Sequence, residues 1–343
     1  MRFYVISCII LGLSAAARAD IGPTPGTQRV QPIFAQSDVV CNCSITSVAV
    51  AEEREVRRND RPLAWRRMIA KARVEDLYKG TVAEGSTILI EYEDEKPTTR
   101  ALPVVLAGSR GLLFLKIGPS LSYTFSDAFI GVTWFTSFPF QQGSSGLVKL
   151  EAALANVLGA SNHTDTIAAL RILQGFDQLG SSTLDKVEPL SNSNDPAVAL
   201  GAIAVLLKTK SAMSVDQLRG YLSRYNDTAE PVALVSIGSE LGQIDDERAL
   251  ASIESLADSR YLTIRLGAMH ALRRMKSEAS ATVLVHKLDD PDSIIQYIAV
   301  MTLAEIFKKQ GEYAPSLRSF DQKPLDYVNL WKAWALEKQL APE

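Results

Sequence analysis

The chain has little of what catalytic and metal sites are usually made from. Its 343 residues hold three cysteines and three histidines. It contains no His-Glu-x-x-His, no Gly-x-Ser-x-Gly elbow and no glycine-rich phosphate loop, so the usual sequence carriers of zinc, serine-nucleophile and phosphate chemistry are missing. A basic excess is missing too. Lys and Arg number 36 against 39 Asp and Glu, for a net charge of −3. Binding to nucleic acid needs a clustered basic surface that displaces counterions, so no nucleic-acid partner is expected. Apolar runs long enough to cross a bilayer are absent; at the start, Phe3 to Leu13 is almost continuously apolar. That run is about eleven residues, too short to cross a bilayer as a helix.

What is there begins with that run. Arg2 precedes it, small residues follow it, and Ala17-Arg18-Ala19 fits a signal-peptidase site. Residues 1–19 are therefore expected to be a signal peptide. The protein is expected to be exported, periplasmic or extracellular, with no transmembrane segment in the mature chain. Cys8 leaves with the leader, and only Cys41 and Cys43 remain.

Residues 20–36 are rich in Pro and Gly without a hydrophobic period and read as an extended N-terminal tail. From 37 to 137 the period is two. Met68, Ala70, Ala72 and Val74 alternate with Lys71, Arg73 and Glu75, a pattern that predicts one strand. Asp38–Val50, Thr87–Tyr92, Gly111–Ile117 and Tyr123–Phe135 read as four more, the last bent at Gly131. Charged loops are expected at 52–62 and 93–100. Five short strands in this space predict a small barrel or sandwich. Residues 138–146 (FPFQQGSSG) read as a linker. The period then lengthens to about 3.6, and amphipathic helices come in pairs through 147–340. The first pair is expected near 147–158 and 164–175. Later second helices should open at Asp195-Pro196, Ala229-Glu230-Pro231, Asp258-Ser259 and Asp290-Pro291, where an acidic cap or a first-turn proline suits a helix start.

Ala202, Ile237, Ala268 and Ala299 recur 35, 31 and 31 residues apart, each followed four residues later by Leu206, Leu241, Leu272 or Leu303. One hairpin cannot bury such a stripe alone, so the hairpins should stack. The segment from Asp258 through Ala268 to Leu272, with Arg265 inside it, resembles the short bacterial type of HEAT repeat. Asp289-Asp290-Pro291-Asp292 through Ala299 and Leu303 repeats it, with Gln296 near the Arg265 position. Ser37 to Cys43, Val74 to Gly80 and Gly111 to Leu115 resemble the OB-like barrels of the netrin/TIMP type. In TIMP-like inhibitors an N-terminal Cys-x-Cys chelates a protease zinc. Here Cys41-Asn42-Cys43 has residues ahead of it and no partner cysteines, so that activity is not expected. Together the resemblances imply an α+β multidomain chain, an OB-like five-stranded β-barrel followed by an α-solenoid of HEAT-like hairpins.

Candidate residues are few. Cys41 and Cys43 lie at i and i+2, on one face of a strand. They are a candidate redox pair. Two buried thiols, metal ligation and an intermolecular bridge are the other readings. His270 and His286 fall in one hairpin, and His163 should start a helix. Arg54, Arg57, Arg58, Arg61, Arg66 and Arg67, interleaved with glutamates, read as a solvated hairpin or a docking loop. The HEAT resemblance implies that second helices line a concave surface, which makes Arg265, Arg273 and Arg274 candidate binding residues. Arg265 could equally bridge adjacent repeats. Asn42, Asn162 and Asn226 open glycosylation sequons. Trp331 and Trp334, on one helical face, suit a capping helix. No catalytic residue, metal or cofactor is expected. The expected function is a non-enzymatic scaffold that binds a protein or envelope polymer along the concave face. The alternatives are a structural component of the cell envelope and a lyase-like enzyme of the short-HEAT type.

Overall fold

The computed structural model describes residues 29–58, 61–96, 105–118, 122–125, 132–136, 138, 146–159, 162–225 and 231–340. The expected signal peptide lies outside them, as does Asn226. Within them the chain is α+β, with six strands followed by twelve α-helices. Contacts divide it into two compact units that meet between Leu190 and Ser191. The linker expected at 138–146 falls within the unit that holds the sheet, and only its residues 138 and 146 are described. The first three helices after the sheet belong to that unit.

The first unit opens with α1 (Val30–Gln36), inside the segment read as an extended tail. Pro32 sits in its first turn, where no backbone N–H is needed. Val30 is buried, and its N–H donates to Gly175 O at 2.6 Å. The strands are β1 (Val39–Arg58), β2 (Arg61–Lys79), β3 (Thr87–Lys96), β4 (Arg110–Ile117), β5 (Tyr123–Phe125) and β6 (Val132–Phe135). β1 pairs with β2 and β4, β2 with β3, β3 with β5 in parallel, and β4 with β5 and β6. The sheet is otherwise antiparallel.

Two expectations change here. The stretch expected as one bent strand is two, because the register along β4 jumps from Leu115↔Phe125 to Leu113↔Val132. Six strands therefore replace five. The charged stretch 52–62 is not mainly loop. β1 and β2 stay paired out to Arg58↔Arg61, as a long arm that β3 follows along β2 as far as Ala64↔Lys96. Glu53 bonds Arg66 at 2.9 Å across it, and Arg54 lies 4.1 Å over the Trp65 ring. The alternating charges satisfy one another across the ladder, which is how so polar a sequence holds a strand. β3 likewise continues to Lys96, into the second expected loop.

The helices α2 (Leu147–Val157), α3 (His163–Leu173) and α4 (Ser181–Val187) complete this unit. The first two fall within two residues of the expected pair, and His163 opens α3. Asn162 caps α3 through the Thr164 and Asp165 N–H groups. The buried Asp165 carboxylate accepts from Thr136 N–H at 2.7 Å, which ties α3 to the end of β6.

The second unit holds α5 (Pro196–Leu207), α6 (Ala212–Arg224), α7 (Pro231–Leu241), α8 (Leu250–Leu256), α9 (Leu262–Met275), α10 (Ala281–His286), α11 (Ser293–Ile306), α12 (Leu317–Gln322) and α13 (Pro324–Glu337). The long helices α5, α7, α9, α11 and α13 pack each on the next. The aligned stripe lies in this core. Ala202, Ile237, Ala268 and Ala299 are buried, as are Leu206, Leu241, Leu272 and Leu303. Asp195 caps α5 as its sequence predicts. At the later starts the caps shift. Asp292, not Asp290, caps α11, and Tyr261 precedes α9 without a side-chain cap. Trp331 is fully buried, and its Nε1 donates to Tyr313 O at 3.0 Å. Trp334 packs on Phe307.

Candidate functional site

The three candidate arginines all lie on α9, and each reaches a neighbouring element. Arg265 stands in the first turn. Its Nη1 donates to Ser259 O at 3.0 Å and Arg260 O at 3.3 Å. Its Nη2 donates to the buried Asp290 at 3.4 Å, while Nε, 3.2 Å from the other carboxylate oxygen, is not aligned for a hydrogen bond. Asp290 is 3.9 Å from Lys287 Nζ, and Lys287 also pairs with Asp258. These four charges link the turn before α9 to the turn before α11. Gln296 on α11 repeats the Arg265 contact without charge, for its Nε2 donates to Asp290 O at 2.9 Å, six residues back, as Arg265 does to Ser259.

Arg273 and Arg274 occupy the last turn of α9, where cations meet the partial negative charge of the helix end. Arg273 Nε donates to Glu305 on α11 at 2.8 Å, and Lys276 Nζ lies 3.4 Å from the same carboxylate. Burial alone would raise the Glu305 carboxyl. The Arg273 bond and the two positive charges outweigh it and hold the group below its usual range. Arg274 turns the other way, to Gln243 Oε1 at 2.9 Å and Gly242 O at 3.4 Å. Arg265 is thus spent on inter-helix contacts, and of the three only Arg274 is exposed.

A band that the sequence reading did not extract lies beside them. Moving two residues on from the buried stripe gives Ala204, Ser239, His270 and Met301. Moving six gives Lys208, Gln243, Arg274 and Glu305. Apart from the buried Ala204, these side chains are exposed or half-buried. The stripe's own spacing was the signal that could have found them. His270 is held below its usual value, first by burial and then by the Arg273 and Arg274 charges. His286 is exposed on α10. Among the described residues no three His, Cys, Asp or Glu side chains gather as a metal-binding group.

In the first unit, Cys41 and Cys43 lie side by side in the core formed by Ile45, Val74, Ile90, Leu113 and Leu115. Both thiols are free and fully buried, with their Sγ atoms 2.9 Å apart. The Cys41 contact, then burial, raises the Cys43 thiol well above its usual value. Asn42 points to the opposite face and is buried, which removes one sequon from glycan access.

That opposite face carries a buried polar group missed from sequence. Asp76 binds the Lys149 ammonium from α2, and Lys149 also donates to Leu77 O at 3.1 Å. The Tyr78 hydroxyl donates to Asp76 Oδ2 at 3.1 Å, and burial followed by the Asp76 charge pushes its phenol far up. The cause of the miss is a pair of β-bulges. β2 has extra residues at Glu75 and Tyr78 opposite β1, so its inward and outward sides exchange there.

No protein-family model matches the chain, and no curated protein sequence matches it.

Proposed function

We propose that the protein is an exported, non-enzymatic scaffold that binds a protein or envelope polymer along the outer band of its long helices. The observation that supports this most is that the positions two and six residues past the buried stripe stay exposed or half-buried at α7, α9 and α11. Successive helices present Ser239, His270 and Met301, then Gln243, Arg274 and Glu305, at one repeating interval. A ligand laid across the helices would meet one unit after another, as on the concave face of a HEAT-like solenoid. The band mixes hydrogen-bonding groups (Ser239, Gln243, His270), an apolar one (Met301) and charged ones (Arg274, Glu305), which suits shape and polar complementarity. The OB-like barrel reading of the first unit rests on β1 pairing with both β2 and β4, and on the single pair Ile90↔Tyr123 between β3 and β5. Export rests on the leader pattern of residues 1–19.

The test is capture of partners from the protein's own envelope fraction by the native chain and by a variant carrying Ser239→Asp, Met301→Asp and Arg274→Glu. Loss of the same partner from a variant that still melts as the native chain does supports the band. Unchanged capture removes it. A second reading, a structural role in the envelope, is favoured by the β1–β2 arm. Beyond Ile45, β1 pairs only with β2 among the described residues, so one strand edge is open to addition of another strand. Shortening the arm would abolish assembly on this reading and leave partner capture intact on the first.

A further inference from the structure

The thiols of Cys41 and Cys43 sit in a setting that calls for a covalent account. Both are buried in the same apolar core. Their sulfurs are 2.9 Å apart, inside ordinary contact for two unbonded atoms of that size and not far from the ~2.0 Å of a disulfide. Residues at i and i+2 of a flat strand stand near the upper limit of Cα separation for bridging. This stretch is not flat. β2 crowds two extra residues, Glu75 and Tyr78, against Cys41–Cys43, while β4 keeps a regular register on the other edge. Bulges of this kind increase local twist, and a strongly twisted strand rises less per residue, which shortens the distance from i to i+2.

We infer that Cys41 and Cys43 form a reversible intramolecular disulfide, made by exchange with a small disulfide such as oxidised glutathione. The balance is simple. One cysteine thiolate attacks a sulfur of the small disulfide and expels one thiolate, leaving a mixed disulfide. The second cysteine thiolate then attacks the protein-side sulfur and expels the other. One S–S bond forms, one breaks, and the two protons lost from the cysteines leave on two small thiols. Two electrons pass to the small disulfide. Because both sulfurs are buried and burial helps to raise the Cys43 thiol, exchange proceeds on opened chains and not through the folded core. The bond is therefore set as the chain folds and, once enclosed, resists small reductants.

The experiment takes the full chain, unfolds it in urea with a thiol reductant, and refolds it in glutathione buffers of increasing oxidised fraction. Free thiols are then alkylated in urea, and the Val30–Arg54 tryptic peptide is weighed. The expected result is a peptide lighter by two hydrogens and without alkyl groups in oxidising buffer, returning to two alkyl groups after reduction in urea. A folded oxidised sample should keep the bond when reductant is added without urea. Four results overturn the inference: two alkyl groups at every buffer ratio, a lasting glutathione adduct, a link to Cys8, or a covalent dimer. Cys41→Ser and Cys43→Ser should each leave one alkylated thiol in the same peptide. That separates a Cys41–Cys43 bond from oxidation of a single sulfur.

Discussion

An alanine Cβ at Gly267 would sit 2.3 Å from the Gly238 carbonyl oxygen, a distance that real Cβ atoms do not show. Backbone stands on both sides of this contact, so only separation of α7 from α9 could relieve it. Replacing a helix-interior glycine by alanine normally stabilises by about 1 kcal/mol. At Gly267 overpacking of about 1–3 kcal/mol opposes that gain, and the rigid backbone decides the sign. Gly267→Ala should be destabilising in urea melts. Gly220→Ala on α6, where nothing lies within 4 Å of the added carbon, should be neutral or stabilising. Equal behaviour of the two variants would refute the close helix contact. His270 gives a second residue-scale prediction. Its folded value lies below its usual value near 6.5, from burial first and then from Arg273 and Arg274. The unfolded chain therefore binds the proton more readily. Stability is full above the unfolded value and declines as pH falls through it toward the folded value. His270→Gln should flatten the melting temperature between about pH 7 and 5, and a curve as steep as the native one would show that another group carries the slope.

Among the elements, Lys149 on α2 and Asp76 on β2 form the most enclosed ion pair described, with side chains 6% and 1% exposed. Breaking such a pair from one side leaves a bare buried charge, at about 3–5 kcal/mol. Lys149→Met should cost in that range, and Lys149→Met with Asp76→Leu should recover most of it, since apolar replacement of both partners is often neutral. If the double variant is no more stable than the single one, the Tyr78 hydroxyl that donates to Asp76 costs as much without its acceptor as the bare charge does. The same pair marks where reading from sequence stopped. A period of two located β2 and β3, and a period of 3.6 located α2 and α3 and the buried Ala and Leu stripe. The sides of β2 past Glu75 were not legible, because one extra residue exchanges them and no local signal announces it. The arm was misread because its partners, Glu53 with Arg66 and Arg54 with Trp65, are set by pairing across a turn. α1 was hidden by Pro32, which reads as a breaker unless the first turn is known. The band beside the stripe was legible, since it needs only the stripe's interval and a shift of two or six residues.

At the scale of the whole chain, composition changes at 138–146 while contacts change at Leu190/Ser191. The two disagree because composition reports secondary structure and a unit is defined by what covers its apolar and polar faces. The sheet has one face filled by Ile45, Val74, Ile90 and Leu113. Its other face brings Asn42, Asp76 and Tyr78 out of solvent together with Lys149 of α2. A fragment ending at residue 146 would expose that face and leave Asp76 without its ammonium. It would also lose the Asp165 acceptor for Thr136 N–H and the Gly175 acceptor for Val30 N–H. A fragment of residues 23–190 keeps all of these. The longer fragment should melt cooperatively, with near-ultraviolet dichroism from its packed aromatics, and the 23–146 fragment should bind a hydrophobic dye and melt without a sharp transition. A cooperative transition in 23–146 at the same temperature as in 23–190 would mean that α2 and α3 rest on the sheet without completing it, and that the composition shift marks the folding boundary after all.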